Sequence, residues 1–296
     1  MYNLKTILFF LLLSTMAIGQ TGVVLDARNN LATGNLEKAK DLIDDAIKNA
    51  DLRGDYHTWY WRGYIYKDLY KKVDREKKNV DSEYRKTSIL AFKECLNYKD
   101  KLSEDTLASV KKILKYLSST VYNDAVISLD TVNYKLAIKN YQLYKETATL
   151  HDKDKDFRVS DIKFKLKLAT VYVSLYESHT GTPKANEYFD MAKQEYAEII
   201  RIDGQHLSAN YNLGILFYNK AVNIIKNMDV GTDLEELAKQ EDVCVELFLM
   251  ALPYVKKAYE LDPQRRETLI GLTGIYYSLN DLEQYQKYKD KLSSLD

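Results

Sequence analysis

His57, His151, His179 and His206, together with Cys95 and Cys244, are the residues of this chain best suited to metal or nucleophilic chemistry. Their spacing serves neither. No two histidines stand four apart, and no H-E-x-x-H occurs, so the zinc-protease arrangement is missing. Cysteine and histidine do not cluster at the spacing of a tetrahedral zinc site. No G-x-G-x-x-G or P-loop offers backbone amides to a phosphate, and no G-x-S-x-G offers a nucleophile elbow. The run from His151 to Asp156 has the alternating acids of a calcium loop. It lacks the central glycine, and Ile162 stands where the closing glutamate belongs, so it reads as a solvated connector. Paired carboxylates for general acid–base work stand at Asp44-Asp45, Glu235-Glu236 and Glu241-Asp242. On lysine-rich helices such pairs usually lie on the wet face, matched to cations one turn away. No catalytic residue, metal or cofactor is therefore expected.

Composition narrows the class further. Of 296 residues, 43 are Lys or Arg and 43 are Asp or Glu. A chain without net charge lacks the basic surface of a dedicated nucleic-acid binder, so nucleic acid is not expected among its partners. The 46% of hydrophobic residues can fill a core, which excludes gross disorder. Only 3 Pro and 11 Gly exclude collagen-like and turn-dense all-β chains. Two cysteines are too few for a disulfide-stapled scaffold. Both are expected as small buried thiols; a bridge between them would need Cα atoms within about 7 Å, a distance that sequence does not give.

Residues 1–19 read as a cleavable signal peptide. Lys5 precedes the apolar run from Ile7 to Leu13, and Ala17-Ile18-Gly19 puts small residues where a signal peptidase reads. The stretch from Thr6 to Ile18 is shorter than the ~20 residues needed to span a bilayer. No cysteine lies at the proposed cut, so a bacterial lipid anchor is not expected. No later segment is apolar enough to span. A mature chain that is periplasmic or secreted, with no stable membrane insertion, follows from this reading.

The elements that must position any site are helices. Apolar residues recur one turn apart, as in Leu36, Ala39, Ile43, Ala46 and Ile47, and again from Leu247 through Val255 to Leu261. Gly34-Asn35, Gly54-Asp55, Gly181-Thr182-Pro183, Asp203-Gly204 and Asp262-Pro263 break the pattern. The breaks separate repeated units. Trp59-x-x-Arg62-Gly63-x-x-Tyr66 is echoed by Leu213-Gly214-x-x-Phe217. Downstream come spaced small and large residues: Ala39/Ile43, Ser88/Phe92, Ala137/Tyr141, Ala192/Tyr196 and Ala251/Val255. The stretch from Ala258 to Pro263 closes one unit.

These residues resemble the tetratricopeptide (TPR) repeat, W-x2-L-G-x2-Y then A-x3-F then P over about 34 residues. The resemblance implies an all-α solenoid of stacked antiparallel helical hairpins, a TPR-like superhelix. Six hairpins are expected, at 24–52, 56–98, 104–150, 158–202, 207–261 and 266–296, within one domain over residues 20–296. Departures are visible. Arg62 replaces the usual Leu, Ser118 and Ala169 replace Gly, and Tyr285 stands in place of Ala. Insertions run over 71–82 and 227–240, the second with its helix beginning near Asp233. Many of the 25 Tyr, such as Tyr66, Tyr141, Tyr196 and Tyr276, fall at helix–helix positions and read as packing.

In TPR proteins the first helix of each hairpin lines the concave face. Carried onto this chain, that feature implies a binding groove formed by Tyr60, Tyr64, Tyr122, Asn123, Tyr211, Tyr218, Asn219 and Tyr277. The same positions serve equally well for packing. Tyr211 and Ile215 occupy two places where some TPR domains carry a carboxylate clamp, so a chaperone-tail receptor is not implied. The expected function is a non-enzymatic scaffold of the cell envelope that holds an extended segment of a protein partner in its groove. A carbohydrate-binding helical-repeat protein, with the groove tyrosines on a glycan, is the alternative. An α-helical hydrolase with carboxylates in a cleft ranks third.

Overall fold

Short polar side chains start the helices. Asp55, Ser82, Ser103, Asp233 and Asp281 each accept a hydrogen bond from a backbone N–H in the first turn that follows. Pro183 opens another helix, where its missing N–H costs nothing. Gly34 and Gly181 sit at turns with φ of 80° and 83°, a conformation that disfavours any other residue.

A computed structural model describes residues 22–295 except 230 and 232; the signal-peptide reading of residues 1–19 lies outside the described residues. The helices are α1 (22–32), α2 (Leu36–Ala46), α3 (Ala50–Arg53), α4 (Tyr56–Leu69), α5 (Glu83–Leu96) and α6 (Glu104–Ile127). They continue with α7 (Tyr134–His151), α8 (Arg158–Ser178), α9 (Pro183–Ile202), α10 (Leu207–Lys226), α11 (Leu234–Leu261), α12 (Arg266–Ser278) and α13 (Leu282–Ser293). No strand occurs among the described residues. None of the described helices is long and apolar enough to cross a membrane.

α4 and α5, α8 and α9, α10 and α11, and α12 and α13 pair as antiparallel hairpins, whereas α6 and α7 pack less closely; small residues set how closely the pairs approach. A Cβ on Gly63 of α4 would lie 2.6 Å from the Phe92 ring of α5, and Ser88 donates to the Gly63 carbonyl at 2.8 Å. On α10 a Cβ at Gly214 would run into the Val255 side chain and stand 3.0 Å from the Ala251 carbonyl oxygen. The small-then-large pairs Ser88/Phe92 and Ala251/Val255 thus face the glycine of their own hairpin, the TPR-like contact. Tyr66, Tyr141, Tyr196 and Tyr276 are all buried between helices.

The chain forms two compact units. The first holds residues 22–128 and 135–155, and the second 129–134 and 156–295. In the first unit one core joins Ala27, Ala39, Ile43, Ile65 and Leu69, and another joins Phe92, Leu114, Leu117 and Val121. Burying a Leu, Ile or Phe side chain contributes about 1.5–3 kcal/mol, so these residues supply the main driving force. Arg62 replaces the pattern's Leu because it has a partner. Its guanidinium lies over the Tyr66 ring and pairs at 3.1 Å with Asp44 of α2, which also accepts from the Tyr66 hydroxyl at 2.6 Å.

The 71–82 insertion is tied into the core of the first unit. α4 runs into a π-helical turn over Tyr70–Asp74, and the chain then returns to α5. Arg85 of α5 is 1% exposed and holds the return. It donates to Asp124 of α6 at 2.5 Å, to the Val80 carbonyl at 3.1 Å and to the Tyr70 hydroxyl at 3.3 Å. Ser82 donates to buried Asp74, and Asn140 of α7 donates to Val80. In the second unit, α11 begins directly after its cap Asp233, so residues 234–240 are helix.

Candidate binding groove

The groove tyrosines expected from the TPR resemblance are spread over both units, and most are engaged in packing. In the first unit the Tyr60 hydroxyl donates to that of Tyr64 at 3.4 Å, and Tyr64 donates to Ser109 of α6 at 3.3 Å. Burial and the Tyr64 hydroxyl push the Tyr60 phenol up to about 12. Tyr122 leans on Tyr144 of α7 at a ring separation of 4.9 Å, and Asn123 beside it is exposed. In the second unit Tyr211 lies under the Arg265 guanidinium at 4.2 Å. Tyr218 packs onto α12, its hydroxyl 2.7 Å from where a Cβ on Gly274 would be. Tyr277 is 65% exposed and touches the Tyr285 ring. Of the eight residues, Asn219 lines a large cavity.

That cavity, of about 600 Å3, lies in the second unit between the first helices of successive hairpins. The α8 wall consists of Thr170, Val173 and Glu177, extended by Thr180 in the turn that follows, and the α10 wall of Asn212, Ile215, Asn219, Asn223 and Lys226. Each wall is a single helical face, because its members recur three or four residues apart. The two helices run in the same direction. At one end Tyr196 of α9 lines the cavity with Thr170 and Asn212, and toward the other Asn223 reaches the Tyr176 hydroxyl at 3.5 Å. From Asn212 to Lys226 the wall is about 21 Å long at 1.5 Å per residue. That length matches roughly six residues of extended chain.

Its chemistry is amide over hydrocarbon. Val173, Ile215, Leu216 and Val222 supply apolar surface, and three carboxamides stand along α10. Each Asn can both donate and accept, the capacity a peptide backbone needs from a partner. Glu177 and Lys226 bring charge only to one end. Tyr176 and Tyr196 line the cavity but are 6% and 3% exposed, which leaves no ring face there for a sugar to stack on. Asn212 and Asn223 were not expected from the sequence. Their signal was present, since with Asn219 they stand seven and four residues apart on one face.

Three members of the acid pairs are engaged by cations. Asp44 is taken by Arg62 and Tyr66, Asp45 by Lys48, and Glu235 by Lys239. No group of three or more metal-ligating side chains occurs among the described residues. Cys95 and Cys244 are both free thiols, 0% and 3% exposed. Burial pushes Cys95 up to about 12, far from a reactive thiolate.

No protein-family model matches this chain, and no curated protein matches its sequence. Solved structures give distant matches. PilF of Pseudomonas aeruginosa is 12% identical, with a TM-score of 0.33 over 93% of this chain and 91% of its own. The human IFIT1 dimer with m7Gppp-AAAA is 12% identical, with a TM-score of 0.31 over 90% of this chain and 66% of its own. At such scores the likeness carries no inference about function, and the all-α hairpin fold rests on the helices and contacts described above.

Proposed function

We propose that this chain is a degenerate TPR protein that acts as a non-enzymatic interaction scaffold of the cell envelope. It binds an extended segment of a protein partner along the groove between α8 and α10. The observation that carries this reading is the stripe of Asn212, Asn219 and Asn223 facing Thr170 and Val173 across one cavity. Carboxamides beside apolar surface suit a backbone of any sequence, with side chains sorted by shape. The buried rings of Tyr176 and Tyr196 favour peptide over glycan. The envelope location rests on residues 1–19, and fractionation with N-terminal sequencing tests it: a mature chain beginning at Gln20 in the envelope fraction is expected, and an unprocessed cytoplasmic chain overturns it.

Affinity capture from envelope extract tests the scaffold. The immobilised protein is expected to retain a partner that an Asn212/Asn219/Asn223→Ala variant of equal helicity loses. A partner held equally by both removes the groove, and no partner in either arm removes the scaffold.

A further inference from the structure

The groove does not end at Asn223. A second cavity, of about 570 Å3, shares Tyr176, Thr180 and Asn223 with it and continues toward the turn between α8 and α9. Lys220 of α10 and Asn186 of α9 line this extension. Lys220 is half-buried, and its Nζ stands 3.9 Å from the centre of the Phe189 ring. The one hydrogen bond it makes is to the Asn186 carboxamide oxygen, at 3.3 Å. Asp190, the carboxylate whose field reaches it, is itself paired with Lys193 at 2.7 Å. Burial pushes the Lys220 ammonium below the usual lysine range, Asp190 opposing and Lys193 assisting.

A half-desolvated ammonium with a ring face and a neutral amide for company has lost water without gaining a counter-ion. An entering carboxylate would supply one, forming a charge-assisted hydrogen bond of the stronger class. The two cavities meet at Tyr176, Thr180 and Asn223, so the carboxylate can belong to whatever lies in the groove and reaches past Asn223.

We propose that the partner segment carries an acidic side chain that leaves the groove past Asn223, enters this cavity and pairs with Lys220. This inference rests on the peptide-groove reading and adds a chemical requirement to it. Lys220 acts as an acceptor of acidic residues at one fixed position of the bound segment, with the neutral α8–α10 stripe tolerating variety elsewhere.

Random twelve-residue peptides displayed on phage, flanked on both sides so that none presents a free carboxyl terminus, test both levels. Selection on the intact protein should enrich Asp or Glu at one register position. Selection on Lys220→Glu should replace that acid with Lys or Arg, and Lys220→Arg should restore it. A synthetic peptide from the wild-type pool should bind Lys220→Met about tenfold more weakly, the scale of a lost hydrogen bond to a charged group. Enrichment without an acidic position, or with the same acid on Lys220→Glu, overturns the inference and leaves the groove standing. Peptides that bind the Asn212/Asn219/Asn223→Ala variant equally well, or no enrichment at all, overturn the groove reading and the inference with it.

Discussion

Gly63 of α4 lies flat against the Phe92 ring of α5, and a Cβ at Gly63 would stand 2.6 Å from it. Phe92 is fully buried, so the ring has nowhere to move. Gly63→Ala should gain ~1 kcal/mol in helix propensity. Overpacking costs about 1–3 kcal/mol and outweighs that gain. Urea unfolding should therefore show net destabilisation, partly relieved by Phe92→Leu in the double variant. A more stable Gly63→Ala would mean the helices are not held this close.

Arg85 and Asp124 form a second test of the first unit. Removing one partner of a buried pair typically costs 3–5 kcal/mol, because the other is left desolvated and unpaired. Asp124 is partly exposed, so Asp124→Asn should cost less, about 2 kcal/mol. Limited proteolysis should then cut first within 75–82, since Arg85 also holds the Val80 carbonyl. Unchanged stability and protection would show that the insertion is held by other contacts.

On the alkaline side, burial raises Cys95, Tyr60 and Tyr172 to about 12. Each group favours its neutral form in the folded protein. The stability linked to the tyrosines is complete below pH 10 and lost as pH rises from 10 to 12; for Cys95 the loss begins near 9. Melting temperature should fall across this window. Thiol reagents at pH 8 should modify Cys95 only after unfolding, and rapid native labelling would contradict the burial.

His151 governs the acid side. Burial lowers its pKa, with Asp152 opposing and Lys115 and Lys155 assisting, and its ring lies 3.3 Å from the Ser118 hydroxyl. A depressed histidine contributes stability that is complete above pH 6.5 and lost as pH falls through the folded value. His151→Gln should flatten the decline in melting temperature between pH 7 and pH 5. A slope unchanged by the substitution would assign the acid sensitivity to other groups.

The helical hairpins were legible because they are written locally. Caps such as Asp233, the break at Gly181-Thr182-Pro183 and the Gly63/Ser88/Phe92 spacing each act within about thirty residues. The groove was less legible because it forms between hairpins. A tyrosine on a first helix reads the same whether it faces a partner or, like Tyr218, the next helix. The asparagine stripe was visible as a pattern, but only the fold sets it across a cavity from α8. Arg85 shows the limit most plainly: nothing near it in sequence says that Tyr70 and Asp124 will enclose it.

Arg62 and Asp44 bear on how this chain could be rebuilt. In a solenoid of identical modules any hairpin can follow any other, which is what allows repeats to be duplicated, deleted or shuffled. Here the contact between α2 and α4 is a lock with one key: an Arg and a Tyr on one side, an Asp on the other. A transplanted hairpin with the customary leucine at position 62 would strand Asp44 without its cation. The order of the first two hairpins is thus written into their charges, and the join between α2 and α4 accepts one particular neighbour rather than any helix of the right shape.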